Sequence, residues 1–211
     1  MSKKIIAAVI VGLIAVSSAG YAVFSRERFV EQELAQYGQI ERNRIERQKG
    51  NRIEIMKGKK IVIYKDDYDA LISELLINGV DEKQAEVDAE KSLLREEALY
   101  IIARDSGVEV SDEEVLKVIE INKEQALKAS NYNDFETFLK AADLTVEEYW
   151  DNQFDRLKKK QTVAKYKEEY LKNNNKLKKL VGTPEYTQAV EREFNKIADK
   201  FIKKDKVVKL N

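Results

Sequence analysis

The stretch from Leu93 to Ile121, LLREEALYIIARDSGVEVSDEEVLKVIEI, leaves a chain few ways to fold. Leu94, Ala98, Ile101 and Ile102 recur at the three- and four-residue steps that place side chains on one helix face, while Arg95, Glu96, Glu97 and Arg104 sit off it. Gly107 supplies a residue able to take positive φ where that helix ends, and Val108 to Val110 then cross in extended form. Ser111 caps the next helix through the amide of Glu114, whose carboxylate reaches back, and Asp112 and Glu113 put negative charge at the positive end of the helix dipole. Val115, Val118 and Ile119 carry the apolar stripe onward. Two amphipathic helices meeting at a glycine corner must bury both stripes against further elements, and the rest of the chain supplies them.

Composition narrows the chemistry. With 36% charged residues, one proline and eight glycines, the 211-residue chain reads as helical and highly solvated. It has neither cysteine nor histidine, which removes thiol and imidazole nucleophiles and bases, the serine triad, nearly all zinc sites and any disulfide framework. A formal net charge of zero argues against a general nucleic-acid binder, which needs a basic excess to neutralise phosphate. No glycine-rich phosphate loop is present, so no nucleotide cofactor is expected. Carboxylate pairs such as Glu113 with Glu114 and Glu168 with Glu169 are explained as caps and solvated faces, and no catalytic residue, cofactor site or metal ligand set is assigned.

At the amino terminus Ile5 to Phe24 form an apolar run behind Lys3 and Lys4, long enough as a helix to cross about 30 Å of hydrocarbon. It reads either as an uncleaved transmembrane anchor, with Tyr21 and Phe24 at the interface, or as a signal peptide cleaved near Ser17, Ser18 and Ala19. Its length favours the anchor. Either way the remainder is expected on the extracytoplasmic side, as a single-pass membrane protein or a secreted one. Three parts follow: residues 1–25 as anchor or signal, 26–52 as a charged stalk helix that frays near Gly50, and 53–211 as a helical domain. The stalk reading rests on the loose spacing of Phe29, Leu34, Tyr37 and Ile40.

Ile53 to Ile63 predicts a small hairpin around Lys57-Gly58-Lys59. A helix follows, capped by Asp66 or Asp67 and striped by Tyr68, Leu71, Ile72, Leu75 and Leu76, ending at Asn78-Gly79; Asp81 opens the long helix of the corner. Asn133 to Glu136 and Thr145 to Glu148 repeat the capping pattern before helices carrying Phe135, Phe138, Leu139 and Ala142, then Tyr149, Trp150, Phe154 and Leu157. After a polar link at Asn173 to Lys179, Thr183-Pro184-Glu185 predicts an N-cap with proline at the first helical position, and Tyr186, Val190, Phe194, Ile197 and Phe201 line a last helix. That helix is expected to dock on Tyr68–Leu76 and Leu94–Ile102, with the tail 206–210 pairing with one strand of the hairpin.

This order of hairpin, helix, long helix, glycine corner and helix, together with ARDSGVEVSDEEV and FETFLKAADLTVEEYW, resembles the N-terminal chaperone domain of the SurA and PrsA family of bacterial extracytoplasmic foldases, over roughly Ile53 to Tyr170. The resemblance implies a mainly α fold: a SurA N-terminal-like chaperone domain with a small β-hairpin, here preceded by a transmembrane helix. The chain departs from the family in three places. It has no lipid-bearing cysteine after the apolar run, KGKKIVI keeps the family's glycine before the first helix but loses an asparagine, and only a short polar link stands at Leu171–Gly182, where relatives insert a parvulin isomerase. Isomerase activity is therefore not carried over, and the binding half remains.

For that half, Tyr68, Phe135, Phe138, Tyr149, Trp150 and Phe154 are the candidate peptide-binding residues, because large apolar side chains gain roughly 25 cal/mol per Å² from any exposed apolar segment without reading its sequence. The same spacing suits an ordinary core. The basic run Lys158 to Lys160 reads as a solvated helix face. Two functions are expected from different classes: a membrane-tethered chaperone holding unfolded or secreted polypeptides, or a membrane-anchored adaptor gripping one folded partner through a rigid patch.

Overall fold

A computed structural model describes residues 31–210. The run Ile5 to Phe24 lies outside them, and among the described residues no helix is long and apolar enough to cross a membrane. The described chain is mainly helical with one small sheet. In order come α1 (Glu31–Gln48), β1 (Glu54–Lys57), β2 (Val62–Tyr64), α2 (Lys65–Ile77), α3 (Glu82–Asp105), α4 (Asp112–Lys128), α5 (Tyr132–Ala142), α6 (Val146–Asn173), the short α7 (Asn175–Lys178), α8 (Tyr186–Asp205) and β3 (Val208–Lys209).

Local chemistry sets the corners. At the end of α3 Gly107 has φ +77, its amide donates to the Arg104 carbonyl and the Val108 amide to the Ala103 carbonyl, closing a Schellman turn. Gly79 ends α2 in the same way, with Val80 bonded back to Leu75. Ser111 with Glu114 and Thr145 with Glu148 form complete capping boxes at α4 and α6. Elsewhere the starts differ from expectation. Neither Asp66 nor Asp67 caps α2, because the helix begins at Lys65 and both lie inside its first turn, where both bind the Arg52 guanidinium. Helix α5 begins at Tyr132, which puts Asn133 inside its first turn, and α8 begins at Tyr186, which leaves Pro184 in the preceding turn.

Two hydrophobic cores organise the packing. The aromatic core joins Leu34 and Tyr37 of α1, Val115 and Ile119 of α4, Phe135 and Phe138 of α5, and Tyr149, Trp150 and Leu157 of α6. The sheet core joins Met56, Ile61 and Ile63 of the hairpin, Ala98 and Leu99 of α3, Val163 of α6, and Phe194 and Ala198 of α8. Helix α6 supplies side chains to both, its first half to one and its second half to the other.

Residues 31–48 correct the stalk reading. Helix α1 is part of the domain: Leu34, Tyr37, Glu41, Arg44 and Ile45 are all buried, and the helix packs on α5 and α2. It approaches α5 so closely that a Cβ on Gly38 would lie 2.5 Å from the Phe138 carbonyl oxygen and 2.7 Å from Ala141 Cβ. The helical domain therefore begins no later than Glu31.

The carboxyl terminus closes the other end. Helix α8 docks on α3, where Arg95 makes two 2.7 Å bonds to the Asp199 carboxylate, and Tyr166 and Tyr170 of α6 meet the Phe194 ring edge-on. Strand β3 adds antiparallel to β1, pairing Met56 with Lys209 and Lys57 with Val208, so the sheet order is β2-β1-β3. Docking on the α3 segment and pairing of the tail with the hairpin are as expected, whereas the expected docking on Tyr68–Leu76 of α2 has no comparable packing. Between them the buried Asp205 carboxylate accepts the Lys60 and Ile61 amides, each at 3.0 Å, and its carbonyl accepts the Lys59 amide at 3.1 Å. One residue thus fastens the end of α8 to the hairpin loop.

Candidate functional site

The aromatic candidates do not form a groove in this structure. Phe135, Phe138 and Tyr149 are 0% exposed and Trp150 1%. They pack against one another, with Tyr149 edge-on to Phe135, Phe138 and Trp150 at ring separations of 5.3, 5.6 and 5.1 Å. Four rings in such contact are the interior of a lobe, since each is more stable against its neighbours than any open groove would leave it. Phe154 packs half-buried on the same core. Tyr68 lies apart, half-buried on the sheet core, its hydroxyl donating to the Glu86 carbonyl at 3.5 Å.

A different site lies where the two cores meet. A cleft of about 480 Å³ opens between α1, the hairpin, α2, α3 and the middle of α6. None of the six aromatic candidates lines it. Its apolar surface comes from Val62, Ile63, Ala70, Leu71 and Leu93. Its acids are Asp67 and Glu74 of α2 and Glu96 and Glu97 of α3. Its cations are Arg44 of α1 and Arg156, Lys159 and Lys160 of α6, with Arg52 and Lys60 from the chain flanking the hairpin strands. The lining is thus sorted by sign: every acid comes from α2 or α3, and every cation from α1, α6 or the hairpin segment.

Local sequence explains the placement. Arg156, Lys159 and Lys160 stand at i, i+3 and i+4 and so share a face of α6, beside Leu157 and Val163, which turn into the cores. Lys159 and Lys160 are therefore half-buried cleft residues and not the solvated face expected of the basic run; Lys158 alone reaches outward, to Asp112 at 2.6 Å. Lys159 pairs with Glu97 across the cleft. Burial works against the Lys159 ammonium, but Glu97 and Glu96 outweigh it and hold the group above the usual lysine range. For Lys160 burial wins, and its ammonium is pulled down despite Glu96 and Glu74, with Arg44 adding to the fall.

Behind the cleft sits a buried polar network. Glu41 accepts from Arg44 and, at 2.8 Å, from the Gln153 amide, while Arg156 approaches its second oxygen at 3.8 Å. Arg44 Nε is buried without a hydrogen-bond partner. Such a network, once its members are placed, fixes α1 against α6 in one register, because any slip would strand a buried charge. A second hollow, of about 440 Å³, lies between the ends of α3 and α6 and the short α7; it is lined by hydroxyl and amide groups including Ser106, Tyr166 and Asn173 to Asn175. Among the described residues no cluster of acidic side chains is arranged to hold a metal ion.

The cleft was not legible as a site from sequence. The one signal was the charged i, i+3, i+4 row on α6 interrupting an otherwise core-facing helix. Family models, curated proteins and solved structures offer no match to this chain.

Proposed function

We propose that this is a membrane-tethered, extracytoplasmic chaperone-like protein that holds unfolded or secreted polypeptides, without nucleotide and without prolyl isomerase activity. The cleft between the cores carries the reading. It is built by five parts of the chain and is lined by aliphatic side chains together with charges of both signs. Such a surface suits a polypeptide, whose main chain and mixed side chains are recognised by type and not by one fixed pose. The resemblance to the SurA and PrsA chaperone domain supports the same reading.

The test uses the full chain in a detergent or bilayer mimic with chemically unfolded clients, followed by light scattering. At near-stoichiometric ratios it is expected to slow aggregation, and no effect on several clients removes the reading. Crosslinking in the native membrane separates it from the adaptor reading. A spread of secreted chains supports the chaperone, whereas one dominant folded partner supports the adaptor.

A further inference from the structure

Helix α8 carries its charge unevenly. Arg192, Lys196, Lys200 and Lys203 recur at i, i+4, i+8 and i+11 and share one exposed face, opposite Phe194 and Ala198, which fill the sheet core. Lys204 flanks that face and Lys206 caps the helix, both exposed as well. Among the described residues none of these six cations is in an ion pair. The acids of the same stretch are engaged inside the domain. Glu193 accepts the Tyr170 hydroxyl at 2.6 Å, Asp199 accepts Arg95 at 2.7 Å, and the buried Asp205 carboxylate accepts the Lys60 and Ile61 amides. Glu191, one position before the stripe, acts on Arg95 and Lys167. In a chain of zero formal net charge, this stretch is left with a basic outer face. The dipole of α8 favours Lys203 and Lys204 in its last turn, but that effect fades within a turn and does not account for Arg192, Lys196 or Lys200.

A row of cations about 17 Å long on a convex helix can meet a plane with every member at once. None of the six lines either cavity described above, so the stripe has no groove to enclose a polypeptide. No aromatic ring stands among the exposed residues of α8 to stack a nucleic-acid base. The sequence places a plane nearby. Only residues 25–30 separate the apolar run Ile5 to Phe24 from α1, and so short a link reaches at most about 20 Å when extended. We propose that the outer face of α8 rests on anionic headgroups of the bilayer that the amino-terminal run enters. This rests on the tethered half of the proposed function and not on its chaperone half. Basic clusters of about four to eight residues held next to a bilayer gather anionic lipid in this way. The anchor joins the aromatic lobe through α1 and the stripe lies on the sheet lobe, so the two contacts hold the domain by both lobes.

The experiment places the full chain in lipid nanodiscs. Because the chain has no cysteine, Gln188→Cys, on the exposed face of α8 one turn before Arg192, takes a single donor dye. Energy transfer to headgroup-labelled lipid is compared between purely zwitterionic discs and discs containing phosphatidylglycerol. Transfer is expected to be about twofold higher with the anionic lipid at low salt, and to fall back at about 0.5 M salt, where screening shortens to a few ångströms. The triple variant Lys196→Glu, Lys200→Glu, Lys203→Glu is expected to lose that rise while melting near the parent temperature, since all three side chains are exposed. If it melts lower, Lys196→Gln with Lys200→Gln and Lys203→Gln replaces it and is expected to lose most of the rise. Equal transfer in the two kinds of disc, or a rise that the variant keeps, overturns the inference and leaves the tether standing. Soluble polyglutamate that binds the parent and not the variant, with transfer indifferent to lipid charge, gives the stripe to an acidic polypeptide and overturns it too. A full chain that floats with vesicles of neither composition overturns the tether and the inference together.

Discussion

The aromatic lobe and the sheet lobe are both closed by distant chain, but by opposite means. In the aromatic lobe α4, α5 and the first half of α6 follow one another through short turns, and α1 arrives from the far side to cover them. Its closure is bulk: stacked and edge-on rings, a glycine at van der Waals limit, and a polar network buried behind Glu41. In the sheet lobe the hairpin and α8 are almost the whole domain apart in sequence. Its closure is directional: Asp205 in the hairpin loop, Arg95 on Asp199, and a β3 ladder only two residues long. The difference teaches that a lobe whose helices follow one another can be closed by side-chain bulk, whereas a lobe joined from the two ends of the domain adds specific hydrogen bonds at Asp205 and Arg95 that hold its parts in register.

The largest effect is expected from removing residues 183–211, which takes Phe194, Ala198, Asp205 and β3 out of the sheet lobe at once. Since α6 is shared, the whole domain is expected to melt at a clearly lower temperature in a thermal scan followed by circular dichroism. Cooperative melting at the parent temperature would make α8 an independent arm and break the comparison.

Next come two glycine substitutions, one per lobe. Gly38→Ala sets a Cβ against the Phe138 carbonyl and the Ala142 amide, which are helix backbone and yield little. Gly58→Ala runs into the Asp205 carboxylate, which is buried and held by the Lys60 and Ile61 amides, and sits 3.0 Å from Val207 Cγ2. Overpacking of this sort costs about 1–3 kcal/mol, and both variants are expected toward the upper end. Urea midpoints of the two variants rank them, and a larger loss at Gly58 would mean that the Asp205 clasp is the stiffer closure.

The smallest effect is expected from acid. The Asp199 carboxyl is held below its ordinary range chiefly by its hydrogen bond from Arg95, and Glu148 and Glu114 by the capping bonds at Thr145 and Ser111. A depressed carboxylate binds its proton more readily unfolded than folded, so each contribution is complete above the unfolded pKa, near 4, and is lost as pH falls through the lower folded value. These groups are largely exposed, so the loss is shallow and weakened by salt. Unfolding midpoints between neutral pH and about pH 3 are expected to decline gently, and Asp199→Asn is expected to remove only the sheet lobe's share. A decline unchanged in that variant would assign the acid sensitivity to the capping boxes of the aromatic lobe.

Where local rules decide, the sequence was readable. The capping boxes at Ser111 and Thr145 and the glycine turns at Gly79 and Gly107 involve residues within a few positions of each other, so they form from local chemistry alone. The start of α2 shows the limit: the helix begins at Lys65, before either aspartate, so Asp66 and Asp67 fall inside its first turn and bind Arg52 from fourteen and fifteen residues earlier. Helix α1 shows it again. Leu34, Tyr37, Gly38, Glu41, Arg44 and Ile45 trace a regular buried face, yet half of that face is glycine or charge, so its hydropathy looks like that of a solvated stalk. Phe135, Phe138, Tyr149 and Trp150 show the converse, because core and groove ask for the same aromatic spacing and only their mutual contacts distinguish the two.

The sequence alone determined a mainly helical domain, its glycine corners at Gly79 and Gly107, the caps at Asp81, Ser111 and Thr145, a hairpin near the start, a C-terminal helix with an apolar face, and the exclusion of thiol and imidazole chemistry. Each follows from neighbours along the chain or from residues that are absent. Tertiary structure decided that α1 belongs to the domain, that the aromatic residues fill a core, and that ions from α1, α2, α3, α6 and the hairpin segment face one cleft sorted by sign. The reason is that burial of a charge or a glycine, and the convergence of ions from separate helices, depend on partners many residues away, which a local hydropathy pattern does not encode.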